Sequence, residues 1–113
     1  MMNWISLQEP EQIDQLAERS SSTPAVIFKH SNRCSMSQMA KYSLEADWDF
    51  APEEVDTYIL DLFAQPQLAK LIADRFRVHH ESPQLLLIRN GECTYDADHL
   101  DITVAELREC FED

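Results

Sequence analysis

Hydrophobic residues along the chain fall into short runs of strand type separated by stretches of helical period. "AVIFK" (Ala25 to Lys29) and "VDTYILDLF" (Val55 to Phe63) are apolar runs of strand length. The stretch between them, which begins at Cys34, sets Met36, Met39, Ala40 and Leu44 at helical spacing. Strand, helix and strand in that order predict a right-handed crossover and a parallel pair. Ile13, Leu16 and Ala17 mark an earlier helix face, and Leu68, Leu71, Ile72 and Phe76 mark another after Pro66. Asn90-Gly91 is a strong two-residue hairpin signal between "LLLI" (Leu85 to Ile88) and "CTYDA", so those runs are expected to be antiparallel neighbours. Along the second run, Cys93, Tyr95 and Ala97 are expected on one face and Glu92, Thr94 and Asp96 on the other. A final helix is predicted to open at Thr103 as N-cap and to turn Val104, Leu107 and Phe111 inward. With a first strand near Asn3 to Leu7, the predicted order is β-α-β-α-β-α-β-β-α around a mixed sheet.

This order is that of the thioredoxin-like α/β/α three-layer sandwich. At 113 residues the chain is expected to form a single such domain over 1–113. The composition, 44% hydrophobic and 27% charged, is that of a globular chain, and no apolar run approaches the roughly 18 residues of a membrane span. "MMNWISLQEPEQ" lacks the basic start and apolar stretch of a signal peptide, so a cytoplasmic location is expected. Thiols stay reduced there, and of three cysteines at least one is unpaired. A net charge of -12 argues against nucleic-acid or anionic-membrane partners, which require clustered Lys and Arg. The lone glycine, Gly91, excludes glycine-rich phosphate loops and dinucleotide fingerprints.

The charge distribution directs attention to one cysteine. No acidic residue lies between Glu18 and Glu45, whereas Arg19, Lys29, Arg33 and Lys41 all do, as does Cys34. In the predicted topology Cys34 stands at or just inside a helix N-terminus, where unsatisfied N–H groups and the helix dipole favour an anion by about 0.3–1 kcal/mol. Arg33 and Lys29 would add to this, and the thiolate is the nucleophilic form. A lone cysteine before a helix is equally readable as an inert packing residue. Pro83 in "ESPQ" points toward chemistry, because thioredoxin-like folds place a cis-proline before this strand, facing the reactive cysteine. The preceding residue, Ser82, would then offer backbone groups to an extended substrate; the alternative is an ordinary strand-start proline. Ser37 occupies the place of the second cysteine of a Cys-x-x-Cys pair, so Cys34 is expected to form mixed disulfides with another molecule or a bond to a distant cysteine. The Ser37 hydroxyl either donates to the thiolate or faces solvent. His30, four residues before Cys34, either orients or protonates a departing thiol or is a loop side chain. Cys110 reads as a half-buried helix residue or as a resolving thiol, and Cys93 as core. His30, His79, His80 and His99 match no common zinc spacing, and no metal is expected.

"FKHSNRCSMS", "VHHESPQ" and "DHLDITVAEL", spread from Phe28 to Leu107, resemble the monothiol bacilliredoxins of the bacillithiol redox system. Those proteins carry approximately Lys-His-Ser-x-x-Cys-Pro-x-Ser, Val-x-His-Glu-Ser-Pro-Gln and Ser-His-x-x-Ile-Thr. The resemblance implies a glutaredoxin-like thiol-disulfide oxidoreductase that removes bacillithiol from protein mixed disulfides. Cys34 would be the attacking thiol, Pro83 the cis-proline, and bacillithiol a co-substrate, with no bound cofactor. Its partners would be proteins carrying low-molecular-weight-thiol mixed disulfides. Ser35 departs from the pattern by standing where proline is usual, which softens the loop and adds an N–H in the first turn. A contrasting reading is a redox-inactive module that captures an extended peptide beside Pro83 by strand addition.

Overall fold

The central strand of the molecule, β2 (Ala25–His30), is buried over its full length, its apolar start, Ala25 to Phe28, as a sheet covered on both faces requires, and Lys29 and His30 with it. The computed structural model describes residues 2–112. On one flank β2 pairs in parallel with β3 (Asp56–Asp61), and β3 with β1 (Ile5–Ser6). On the other flank it pairs antiparallel with β4 (Gln84–Arg89), which pairs antiparallel with β5 (Glu92–Asp98). The sheet order is thus β1-β3-β2-β4-β5, and the chain order is the predicted β-α-β-α-β-α-β-β-α with a short 3₁₀ turn (His99–Asp101) before the last helix. Side chains alternate between two cores. Ala25 and Ile27 pack with α1 (Pro10–Arg19) and α3 (Pro66–Phe76), whereas Val26 and Phe28 pack with α2 (Ser35–Asp47) and α4 (Val104–Glu109). No helix among the described residues is long and apolar enough to cross a membrane.

Several predicted boundaries shift for local reasons. β1 has only two residues rather than Asn3 to Leu7: the Asn3 carbonyl accepts the Thr57 hydroxyl (2.6 Å), and Leu7 N–H donates to Ile59 (2.9 Å) outside the regular ladder. β3 stops at Asp61 because its carboxylate accepts the N–H groups of Phe63 (3.0 Å) and Ala64 (3.1 Å), which turns the chain. Phe63 therefore leaves the strand and is 64% exposed.

α1 and α3 bury Ile13, Leu16 and Ala17, and Leu68, Ala69, Ile72 and Phe76, respectively. Leu71, predicted inward, lies at the edge of its stripe and is exposed. α2 also departs from its predicted face. It buries Ser37, Ala40 and Leu44 and leaves Met36 and Met39 outside, because a hydrogen-bonded serine can occupy the inward position that apolarity alone would give to methionine. α4 is capped as predicted, the Thr103 hydroxyl accepting from Glu106 N–H (3.1 Å).

The hairpin carries the last correction. Leu87 faces Tyr95 and Ile88 faces Cys93, so Thr94 is an extra residue in a β-bulge. The bulge breaks the alternation: Cys93 packs with the α1/α3 core, while Tyr95 and Ala97 join the α2/α4 core. Asn90 and Gly91 turn the chain at φ 52° and 77°, the left-handed pair this turn needs. The turn is anchored to the end of α1 by Ser20, whose buried hydroxyl donates to the Ala17 carbonyl (2.5 Å) and accepts from Gly91 N–H (2.8 Å).

Ser20→Ala leaves that N–H without its partner, and we expect a loss of about 1 kcal/mol in urea unfolding. Ser21→Ala removes only an exposed hydroxyl bonded to the Glu18 carbonyl and should stay within about 0.5 kcal/mol of wild type.

Candidate active site

The register of β2 against β4 sets Lys29 opposite Gln84, so the segments that leave these strands, 31–34 and 79–83, emerge side by side at one end of the sheet. Cys34 is the N-cap of α2 (φ -114°, ψ 120°), partly exposed and unpaired. Its N–H donates to the Ser31 carbonyl (3.2 Å) and its carbonyl accepts from Gln38 N–H (3.0 Å). The cap position stands at the end of the helix where the first-turn N–H groups have no intrahelical partner, and the sulfur itself makes no cap hydrogen bond to them. α1 and α3 begin with Pro10 and Pro66, whereas α2 begins with Ser35 and so keeps a donor there. The Ser82–Pro83 peptide bond is cis. The Pro83 carbonyl accepts from His99 N–H (3.2 Å), which brings the segment after β5 to the same end of the sheet.

Ser37 takes neither of its two expected roles. It is fully buried, its hydroxyl oxygen accepts Ser31 N–H (2.9 Å), and it lies 2.6 Å from His30 Nδ1. His30 Nε2 lies 2.7 Å from the Asn32 side-chain oxygen, an acceptor, so Nε2 carries the ring proton and Nδ1 accepts the Ser37 hydroxyl proton. The Ser37 hydroxyl proton and both His30 ring nitrogens are thereby used, and neither side chain has a donor left for the sulfur. Burial pushes the His30 pKa below its ordinary value, in keeping with the neutral ring this network needs. Behind it the rings of Trp4, Phe28 and His30 stack at 5.7 and 5.5 Å.

The two basic candidates are also engaged elsewhere. The Arg33 guanidinium lies 3.8 Å over the Phe63 ring, a cation–π contact that fixes it on the exposed turn after β3. Lys29 is 1% exposed and belongs to the opposite face of β2 from His30. Its Nζ donates to Gln84 Oε1 (2.7 Å), and Gln84 Nε2 donates to the His79 carbonyl (3.0 Å). This chain holds the segment that leads to Pro83. Burial pushes the Lys29 pKa down to about 8, with Glu81 opposing the shift.

The other two thiols lie at the far end of the sheet. Cys110 follows α4 beside Arg108, which bonds Asp49 (2.8 Å) just beyond the C-terminus of α2. The 13 residues of α2 span about 20 Å at ~1.5 Å per residue, so Cys110 and Cys34 stand a helix length apart. A disulfide needs Cα atoms within about 7 Å, so of the two readings of Cys110 the structure favours the half-buried residue at the end of the helix and goes against a resolving thiol for Cys34 within the folded chain. Cys93 sits by the Asn90–Gly91 turn, with its thiol pushed up to about 11 by burial. Burial raises the Cys110 thiol as well.

The participants missed by sequence reasoning are Asn32, Phe63 and Gln84. Gln84 alone had a local signal, as a polar residue at the head of the strand "QLLLI". Asn32 bonds a residue two positions away but in a turn whose shape has no sequence signal, and Phe63 depends on a contact across the fold.

A cysteine at a helix N-cap beside a cis-proline, in this mixed sheet, defines a thiol oxidoreductase of the thioredoxin fold. Within that class the chain belongs to the monothiol bacilliredoxin family: the family model described as Monothiol bacilliredoxin BrxC matches residues 5–107. A solved structure described as a candidate oxidoreductase with a thioredoxin fold is 31% identical, with 96% of this chain and 93% of that chain covered and a TM-score of 0.81. Thioredoxin from Trypanosoma brucei brucei superposes at TM-score 0.75 with 15% identity, covering 98% and 93% of the two chains. The thioredoxin of Malassezia sympodialis gives 0.74 and 17%, covering 96% and 87%. These two likenesses are of fold.

Ser37→Ala strips partners from the part-buried Ser31 N–H and from buried His30 Nδ1 and should cost about 1–3 kcal/mol in denaturant unfolding. The two buried bases give pH signatures of the same sign in different windows. His30 binds its proton less well folded than unfolded, so its contribution is complete above the unfolded value of about 6.5 and is lost as pH falls below it. Lys29 also releases its proton more readily when folded, so wild type should gain stability relative to Lys29→Met as pH rises from about 8 toward 10.5. Unfolding free energies of wild type, His30→Gln and Lys29→Met across this range check both signs.

Proposed function

We propose that the protein is a monothiol thiol-disulfide oxidoreductase that removes bacillithiol from protein mixed disulfides, with Cys34 as the nucleophile. The observation that carries this reading is the placement of Ser37. The residue three positions after Cys34 is a buried serine whose only proton is given to His30, and Cys93 and Cys110 lie at the other end of the sheet. Cys34 therefore has no resolving partner inside the folded chain, and its covalent product is intermolecular.

In the proposed reaction the Cys34 thiolate attacks the bacillithiol sulfur of the modified protein. A new bond joins Cys34 Sγ to bacillithiol, the old disulfide breaks, and the substrate leaves as a thiolate that takes a proton from solvent. A second low-molecular-weight thiol, as thiolate, then attacks the bacillithiol sulfur on Cys34 and restores the Cys34 thiolate. The first-turn N–H groups of α2 favour the anionic sulfur in both half-reactions. Ser82 and the cis-proline supply backbone groups against which the substrate segment lies. Bacillithiol enters as co-substrate, and the partners are modified proteins.

Intact-mass measurement after mixing the reduced protein with a bacillithiol-modified substrate protein tests this. Wild type should gain one bacillithiol while the substrate is released reduced, and Cys34→Ser should do neither. If the adduct stays on the substrate, and a glutathione-modified control also stays modified, the enzyme reading fails in favour of peptide capture without redox chemistry.

A further inference from the structure

Next to Cys34, the molecule leaves large apolar side chains uncovered. A groove of about 350 Å3 runs from Ser35 between α2 and the turn that joins β5 to α4, walled by Met36, Met39, Ala40, Leu100 and Ile102. Met39 is 68% and Leu100 78% exposed, in a chain of net charge -12. Single exposed apolar residues are ordinary, but here they converge on one concave wall that begins at the residue after the cysteine. Beyond the turn the surface changes character. Asp98 and Asp101, the chain neighbours of the groove residues His99, Leu100 and Ile102, line a second hollow of about 340 Å3 with Asp96 and Glu106. Glu81 also faces His99, at 3.7 Å, and Asp98 lies 3.2 Å from the same ring. Arg33, the cation nearest to Cys34 in sequence, is turned onto Phe63 and away from this wall.

An apolar groove followed by a carboxylate-lined hollow is complementary to a chain segment with an apolar side chain and then a basic one. We propose that this surface selects the protein substrate: it takes an extended segment whose modified cysteine is flanked by a large apolar residue, seated against Met36 and Leu100, and by Lys or Arg facing Asp98 and Asp101. The inference rests on the thiol-exchange reading of Cys34 and adds to it the class of sequence around the target thiol. Continuity is the reason for choosing a substrate over any other occupant, since the mixed disulfide must lie in line with Cys34 Sγ while its bacillithiol sulfur is attacked, which sets the residues around the target cysteine at the mouth of the groove. The apolar contact supplies affinity through desolvation, and the carboxylates supply salt-dependent steering and orientation.

The test uses short synthetic peptides with one cysteine held as a mixed disulfide with thionitrobenzoate, flanked by Leu or Ser on one side and Lys or Glu on the other. The Cys34 thiolate attacks the peptide sulfur, a Cys34–peptide disulfide forms, and thionitrobenzoate leaves as a coloured thiolate because its low pKa makes it the better leaving group. The Leu/Lys peptide should react about tenfold faster than the Ser/Glu peptide, the size of discrimination one apolar pocket contact supplies. The Lys advantage should shrink as salt is raised. Leu100→Glu should reduce the Leu-over-Ser ratio toward one, and Asp98→Lys with Asp101→Lys should invert the Lys-over-Glu ratio. Equal rates for all peptides with wild type would overturn the surface proposal and leave the exchange chemistry intact. No release from any peptide, nor from the small symmetric thionitrobenzoate disulfide, would instead remove the Cys34 reading on which it rests.

Discussion

The pairing of β2 with β4 is the constraint on which the rest of the molecule hangs. Lys29 stands opposite Gln84 in the backbone ladder, and their side chains meet again in a buried hydrogen bond of 2.7 Å. A slip of one residue would send every side chain of both strands to the wrong core and would leave an ammonium group buried without its acceptor. Because the register is held in this way, the chain leaving β2 and the chain arriving at β4 come out as neighbours, and the cysteine and the proline segment share one end of the sheet. The lysine that charge distribution had assigned to the sulfur is the fastener of this arrangement from the opposite face.

A second brace operates on the α2 side. The backbone from His30 to Cys34 makes a tight turn into the helix, and its shape is held by one serine hydroxyl that accepts from Ser31 and donates to His30. The serine is therefore more than a vacancy where a second thiol would be. A sulfhydryl in its place would be a weak donor and a weak acceptor at a position that uses both capacities fully. Monothiol chemistry and loop architecture are linked at this residue.

Most of the fold was readable from hydrophobic period, because β2, β4 and α1 bury their apolar residues in the faces that simple alternation assigns. The errors have a common cause, which is that period counts apolarity and takes no account of hydrogen bonds. α2 was rotated in expectation because Met36 and Met39 outrank Ser37 as hydrophobes, yet Ser37 goes inside since its bonds are satisfied there. Phe63 was drawn into β3 because nothing in apolarity reveals that the Asp61 carboxylate would cap the turn. The bulge at Thr94 moved Cys93 to the other core, and an extra residue in one strand has no sequence signature without its partner. At the site, Cys34, Pro83 and the cap position were legible from local order. The engagement of Arg33 with Phe63 and of Lys29 with Gln84 was not, since each joins residues far apart in the chain.

The outer strands of the sheet invite a different kind of question. An open sheet presents two free edges, and each is a template on which another copy of the chain could stack. Here one edge is β1, with only two residues of ladder, and the other is β5, which carries Glu92, Asp96 and Asp98 along seven residues. The first edge is too short to hold a visitor, and the second repels any strand that bears the same charges. The chain is thus guarded against polymerising with itself through its sheet edges. The acidity of the chain serves its colloidal behaviour along this edge, and Asp98, opposite Gln84, carries the same charge to the site end of the sheet.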